Sequence, residues 1–247
     1  MPHSNDIVCQ HLAWDTEFFG QKIGLIRCRS HAEQSQIALA LDKFRREEFS
    51  LAYVMLEGET LLDEVFCKQF GGQLVDIKYI FGRSIESESL QPKESNVLDY
   101  TGDGTELYEL AYAAGWCSRY KIDKHFPQEV FERFYRTWIA NSLNGNMADG
   151  VYIIKGENEA PKGFATLKIS DEEASIGLIA VDADSRGEGI GKKLINHMIG
   201  VARKKGCKRM SVATQKRNKG AVAFYKSCNM SLVESCSIYH FWLDNEI

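Results

Sequence analysis

The chain has 247 residues, 44% hydrophobic and 26% charged, which suits a soluble globular protein of one large or two small domains. A formal net charge of −4 carries no domain-wide basic excess, so nucleic acid is excluded as the default partner. Seven cysteines without a C-x-x-C pair, a polar start at Met1-Pro2-His3 and no apolar run long enough for a bilayer predict a cytoplasmic protein with reduced thiols, no metal and no membrane partner.

In chain order, β-branched and aromatic runs predict strands over residues 22–28, 51–56 and 73–82. Apolar spacing predicts helices over 32–46 and 61–70; Ile37, Leu39, Leu41 and Phe44 fall mostly on one face of the first. The polar stretch 86–96, which holds one of only four prolines, reads as a linker, or alternatively as a long surface loop within one domain. Helices follow over 105–114 and 127–143, with Pro127 suited to a first turn because its missing N–H has no helical partner there. Then come strands over 151–155, 163–169 and 174–181 and an amphipathic helix over 189–204. A strand over 209–213, a helix over 219–228 and strands over 231–234 and 238–243 complete the chain. The expected organisation is an N-terminal α/β domain (1–85), a linker (86–103) and a second domain (104–247). A shift of 158 positions lays Leu232-Val233-Glu234 on Leu74-Val75-Asp76, Phe224 on Phe66 and Asn229 on Gly71. A partial duplication and chance recurrence of a common unit explain this equally well.

The sharpest motif is Arg186-Gly187-Glu188-Gly189-Ile190-Gly191, between an apolar strand and an amphipathic helix. Alternate glycines let the backbone approach a ligand, and amides at a helix start converge on an anion, so the turn suits a pyrophosphate. A Walker A loop fails on spacing, because Arg186 stands where its first glycine belongs and Lys193 where Ser or Thr belongs. A dinucleotide fingerprint fails as well, because the glycines run G-x-G-x-G.

Arg-x-x-Gly-x-Gly at a strand–helix junction resembles the coenzyme A-binding signature of the GNAT superfamily of N-acetyltransferases. A second segment, from Asn218 through Ala221, Phe224 and Tyr225 to Asn229-Met230, resembles that family's N-x-x-A-x-x-F-Y-x-x-x-G-F. The resemblance implies an α/β (α+β) GNAT fold, a mixed, mostly antiparallel sheet flanked by helices, behind the smaller N-terminal α/β domain. It also implies an acetyltransferase with acetyl-CoA as co-substrate. Residues 186–191 (Arg186, Gly187, Glu188, Gly189, Ile190, Gly191) with Lys192 would hold the pyrophosphate. Ile179, Ala180 and Val181 would pair with the pantetheine arm, which Asn218 would also meet; Phe224 reads first as packing and second as a cofactor contact. The Val181 N–H would stabilise the oxyanion, and Tyr225 would protonate the leaving thiolate. Ala183 stands where many members carry proline, and Asn229 and Met230 replace Gly and Phe; Asn suits a left-handed helix end. Asn218 also reads as a helix cap. No base declares itself: Asp171-Glu172-Glu173, His125, His240 and a water chain stay equal.

The amine acceptor rests on thinner signals. Trp14-Asp15-Thr16-Glu17-Phe18-Phe19-Gly20, Ser118-Arg119-Tyr120 and the run 133–139 are similar to bacterial acetyltransferases acting on nucleotide-linked amino sugars. That likeness implies a small-molecule amine, the 4-amino group of a TDP-linked 4-amino-4,6-dideoxyhexose of surface-polysaccharide synthesis, faced by Arg119, Tyr120 and Tyr135. A protein, peptide or other small-molecule amine, and a non-catalytic acetyl-CoA sensor, are the alternatives. The aromatic strand 238–242 offers an edge for a homodimer.

Overall fold

The structure, a computed structural model, describes residues 7–29, 33–86 and 96–243. By packing, the chain divides into two compact units. One comprises Met1–Tyr79, Gln215–Arg217 and Glu234–Ile247, the other Ile80–Thr214 and Asn218–Val233. The division falls inside three strands, β4, β9 and β10, rather than at residues 86–103, so chain order and packing partition the protein differently. Of the expected linker, positions 87–95 lie outside the described residues.

In chain order the first unit opens with β1 (Ile7–His11), α1 (Ala13–Phe19), β2 (Ile23–Cys28), α2 (Gln34–Arg46), β3 (Leu51–Glu57) and α3 (Glu64–Phe70). β4 (Gly72–Ser84) begins in it and ends in the second unit. The second unit continues with β5 (Leu98–Asp99), α4 (Tyr108–Ala114), α5 (Arg119–Ile122), α6 (Gln128–Leu143), β6 (Gly150–Lys155), β7 (Pro161–Ser170) and β8 (Glu173–Val181). α7 (Ile190–Lys204), β9 (Arg209–Gln215), α8 (Lys219–Ser227) and β10 (Ser231–Trp242) follow. The start expected at position 32 for the first long helix lies outside the described residues. That helix begins at Gln34, where Glu33 and Gln36 form a reciprocal capping box.

Within the first unit the strand order is β1-β2-β3-β10-β4. β2 and β3 are parallel, while β1–β2 and β3–β10 are antiparallel. Its core gathers Ile26, Leu41, Phe44, Val54, Leu56, Tyr239 and Phe241. α2 buries Ile37, Ala40, Leu41 and Phe44 against it and leaves Leu39 70% exposed, so Leu39 leaves the expected stripe. In the second unit the order is β4-β9-β8-β7-β6-β5. β5–β6, β6–β7 and β7–β8 are antiparallel, and β8–β9 is parallel. The expected mixed, mostly antiparallel arrangement is what each unit shows.

Two expectations change. The strands expected over 231–234 and 238–243 are one strand, β10. Its aromatic half pairs residue by residue with β3, from Cys236↔Glu57 to Trp242↔Leu51, and lies between β3 and β4. It is therefore an interior strand, and the homodimer expected through its edge has no edge to use. The internal echo has a structural counterpart. α3 ends on Gly71 (φ 73°) before β4, and α8 ends ahead of Asn229 (φ 58°) before β10, so a left-handed residue occupies the same place in both.

Candidate active site

The site is built on β8, and its geometry follows from where the ladders on the two sides of that strand run. On one side β7 pairs with β8 up to Gly163↔Val181, with a bulge that sets Thr166 against Gly177 and Leu178. The buried Thr166 hydroxyl accepts the Leu178 N–H at 2.9 Å and so stabilises the bulge. On the other side the parallel ladder with β9 ends at Ile176↔Val212, and β8 runs on for five more residues. The Asp182 N–H donates to Lys162 O at 2.8 Å. Because bonded and non-bonded pairs alternate along an antiparallel ladder, the N–H and C=O of Ile179 and Val181 face away from β7. These backbone groups stand where an extended ligand arm can add as a strand does. Ile179, Ala180 and Val181 are each half-buried, as ligand-facing positions on such a strand would be.

Asp182 then caps a short turn by accepting the Asp184 N–H at 3.1 Å. Arg186 closes that turn with extended backbone. Gly187 (φ 87°) and Gly189 (φ 78°) are left-handed, and a Cβ at either would meet nothing within 4 Å. Glycine is required there for backbone conformation, and the space beside it is the space a ligand needs. The first bond of α7 runs from the Lys193 N–H to Gly189 O, so the amides of Ile190, Gly191 and Lys192 precede the helical ladder. They point to the positive end of a 15-residue helix, which is an anion site. Glu188 is drawn aside by Lys162, 3.3 Å away.

α8 packs on this turn through Phe224, whose ring lies 2.8 Å from where a Gly191 Cβ would be. This contact fits the packing reading of Phe224 and seats α8 on α7. Asn218 caps α8 by accepting the Ala221 N–H at 3.1 Å. Tyr225 is 5% exposed, and burial pushes its hydroxyl pKa well above the ordinary phenol range, with Cys228 adding to the shift. Phe81 lies beside the Tyr225 ring at 5.8 Å, and Arg83 donates to Cys228 O at 2.7 Å. The sequence reading placed both in the N-terminal domain. The β-branched and aromatic pattern that continues past Asp76 and Lys78 to Phe81 was the signal that this strand extends past the first unit.

The acceptor candidates are placed unequally. Arg119 lies over the Tyr120 ring at 4.8 Å and donates to its hydroxyl at 2.7 Å. Tyr120 and Tyr135 are 6% and 4% exposed, and the Tyr135 ring fills the space beside Gly115. The candidate bases separate as well. Glu173 opens β8 and Val181 closes it, about 26 Å apart at ~3.3 Å per residue. Glu172 and Glu173 are paired there with Lys208 and Arg209. His240 is fully buried beside Tyr53 in the first unit. A cleft of about 530 Å³ between α4 and α6, lined by Tyr108, Tyr112, Trp116 and Phe131, contains none of the cradle residues. Among the described residues no group of His, Cys, Asp or Glu could hold a metal ion, and no helix is long and apolar enough to cross a membrane.

A strand end paired on one side only thus leads into a helix start that favours an anion, a framework that can take an extended ligand ending in phosphate groups. The chain belongs to the GNAT acetyltransferase family: residues 109–230 match the Acetyltransferase (GNAT) family. It is an acetyl-CoA-dependent N-acetyltransferase. The dTDP-fucosamine acetyltransferase of Escherichia coli O6:H1 is 26% identical over 94% of this chain and 95% of its own. The [ribosomal protein bS18]-alanine N-acetyltransferase of Escherichia coli K12 is 31% identical over 49% of this chain and 68% of its own. A GCN5-related N-acetyltransferase from Sphaerobacter thermophilus shares the fold, with a TM-score of 0.61, 13% identity, and coverage of 98% of this chain and 78% of that one.

Proposed function

We propose that the protein transfers the acetyl group of acetyl-CoA to the 4-amino group of a TDP-linked 4-amino-4,6-dideoxyhexose, a step of surface-polysaccharide synthesis in the cytoplasm. The observation that carries this reading is coverage. The dTDP-fucosamine relative aligns along nearly the whole chain, whereas the alanine-acetylating relative aligns with only half of it. In this reading residues 1–85 form an N-terminal domain joined by 86–103 to the acetyltransferase domain 104–247.

The chain's own groups divide the work. The amides from Gly187 to Lys192 bind the pyrophosphate, with Arg186 nearby as a countercharge. Ile179 and Val181 hold the pantetheine arm by backbone bonds, and the Val181 N–H meets the carbonyl oxygen as it gains charge. Asn218 caps α8 and so fixes Tyr225, which supplies the thiolate's proton. Arg119 is a partner for the nucleotide phosphates; its guanidinium matches phosphate geometry in a way Lys does not. Tyr120 orients Arg119, and Tyr135 supports it by packing.

The 31% identity to the alanine N-acetyltransferase favours a second reading, a protein or peptide amine as acceptor. Thiol release from acetyl-CoA, measured with a panel of TDP-amino sugars and with an alanine-terminal peptide, separates the two. Turnover on a TDP-4-amino sugar at well above the peptide rate is expected; turnover on the peptide alone would replace the sugar reading. Acetyl-CoA binding without turnover on any amine would leave a sensor.

A further inference from the structure

Attack on a thioester requires a neutral amine, and the groups described so far accept no proton from an ammonium. Among the described residues one acid–imidazole couple stands in the second unit. Asp123 ends α5 and is completely buried, and His125 two residues on keeps a half-exposed side chain. One Asp123 oxygen, Oδ1, accepts both the His125 backbone N–H at 3.0 Å and the ring Nδ1–H at 2.8 Å. A carboxylate only accepts, so Nδ1 carries the hydrogen and Nε2 is the basic nitrogen.

The couple is held rigidly. The Asp123 N–H donates to Arg119 O, its carbonyl accepts the Phe126 N–H, and Phe126 packs edge-on against Tyr120. Two residues beyond His125, Pro127 opens α6. An imidazole oriented by a buried carboxylate is how proteins build a base near neutral pH.

Its place along the fold can be traced. Lys168 donates to Gly145 O, and Asp149 accepts the Ile169 N–H, which ties the end of α6 to the part of β7 that pairs with the start of β8. Farther up α6, the Trp138 indole lies 3.6 Å from where a Gly177 Cβ would be, midway along β8. Continuing toward the start of α6 therefore runs toward Val181. From Trp138 to Pro127 is about 16 Å at ~1.5 Å per residue, and from Gly177 to Val181 about 13 Å at ~3.3 Å. That course carries the segment of His125, bonded through Asp123 to Arg119 and packed through Phe126 on Tyr120, toward the thioester end of β8. The acidic cluster 171–173 stands at the other end.

We propose that His125 is the base that deprotonates the acceptor ammonium and that Asp123 is its positioning residue. This rests on the amine-acetylating activity, and it holds for a sugar or a peptide amine. His125 Nε2 takes one proton from the ammonium and passes it to water. The neutral nitrogen bonds to the acetyl carbon, the C–S bond breaks, and the thiolate takes a proton. The nitrogen sheds its second proton as the amide forms. The products are the amide, the thiol and one net proton.

The test uses the full chain and whichever amine the panel shows to turn over, so a failed sugar assignment leaves it intact. In His125→Ala, kcat is expected to fall on the order of 10²- to 10³-fold. The KM for acetyl-CoA should be unchanged, and added imidazole should restore at least about tenfold, as expected for a missing base. Asp123→Asn should lower kcat in the wild-type background and add little in His125→Ala, since a positioning group acts only through its partner. A kcat for His125→Ala within about twofold of wild type would overturn the proposal, and so would a loss that imidazole does not relieve.

Discussion

In the proposed mechanism Tyr225 gives up a proton from a place that resists charge. It is almost fully buried, and burial raises its pKa, so the hydroxyl stays protonated wherever the enzyme works and can serve only as an acid. Donation leaves a buried phenolate, which the same desolvation opposes. Transfer is favourable only toward a thiolate that is equally cut off from water, since burial raises both pKa values together. Two outcomes follow. Tyr225→Phe should keep its thermal midpoint and its affinity for coenzyme A by calorimetry, and lose about 10²- to 10⁴-fold in kcat. Wild-type kcat should show no alkaline decline near pH 10, where an ordinary phenol ionises. Undiminished turnover in the Phe variant would remove Tyr225 from the chemistry. The sequence placed Tyr225 and Asn229 correctly on their helix and its left-handed end because such positions depend on local spacing. It left Phe224 with two readings, because a ring packed on Gly191 and a ring facing a ligand have the same pattern in one dimension.

Among the elements, α7 carries both the anion site and a pH-sensitive contact. His197 on its inner side lies 4.9 Å from the Tyr152 ring of β6. Burial depresses its pKa, Asp99 opposes that shift and Lys204 reinforces it. The folded protein therefore keeps the ring neutral while the unfolded chain protonates near pH 6.5. Stability should be unaffected by this group above that value. It should fall as pH drops below 6.5, and level off once the folded ring itself titrates. Urea midpoints at pH 7.5 and 5.5 should differ less for His197→Gln than for wild type; equal differences would show that the contact is neutral to pH. The helix was legible because its buried positions recur at 3.6 residues, from Ile190 to Ala202. The elements that were not legible lack such a signal. α1 buries no residue and has no side-chain cap, α5 has only four residues, and β5 has two. Conversely, β10 read as two strands because its burial changes from exposed to buried partway along, while its backbone continues.

For the whole molecule the question is whether the catalytic half can stand alone, as a cut at residues 86–103 implies. The packing of the chain's end argues that it cannot. Ile238, Tyr239 and Phe241 are 3%, 3% and 0% exposed, on a strand half paired with β3, and the Tyr239 hydroxyl accepts the Leu62 N–H at 2.9 Å. A fragment of residues 104–247 keeps these side chains and loses β3, which pairs with their strand, and α2 and α3, which share one core with Tyr239 and Phe241. At about 1.5–3 kcal/mol for each buried side chain, exposing Tyr239 and Phe241 costs about 3–6 kcal/mol. That is a large part of the whole stability of a typical domain, about 5–15 kcal/mol. It also bares an apolar strand edge, which invites aggregation. Expressed alone, residues 104–247 should be insoluble or elute as aggregate in size-exclusion chromatography, and co-expression with residues 1–103 should restore soluble protein that binds acetyl-CoA. A monomeric, cooperatively melting 104–247 fragment would instead make the chain-order division the one that governs folding. The expected result would explain why no boundary was readable where packing divides the chain. Packing assigns the last strand by its partner β3, more than 170 residues earlier, and that pairing leaves no mark on the local pattern from which sequence boundaries are read.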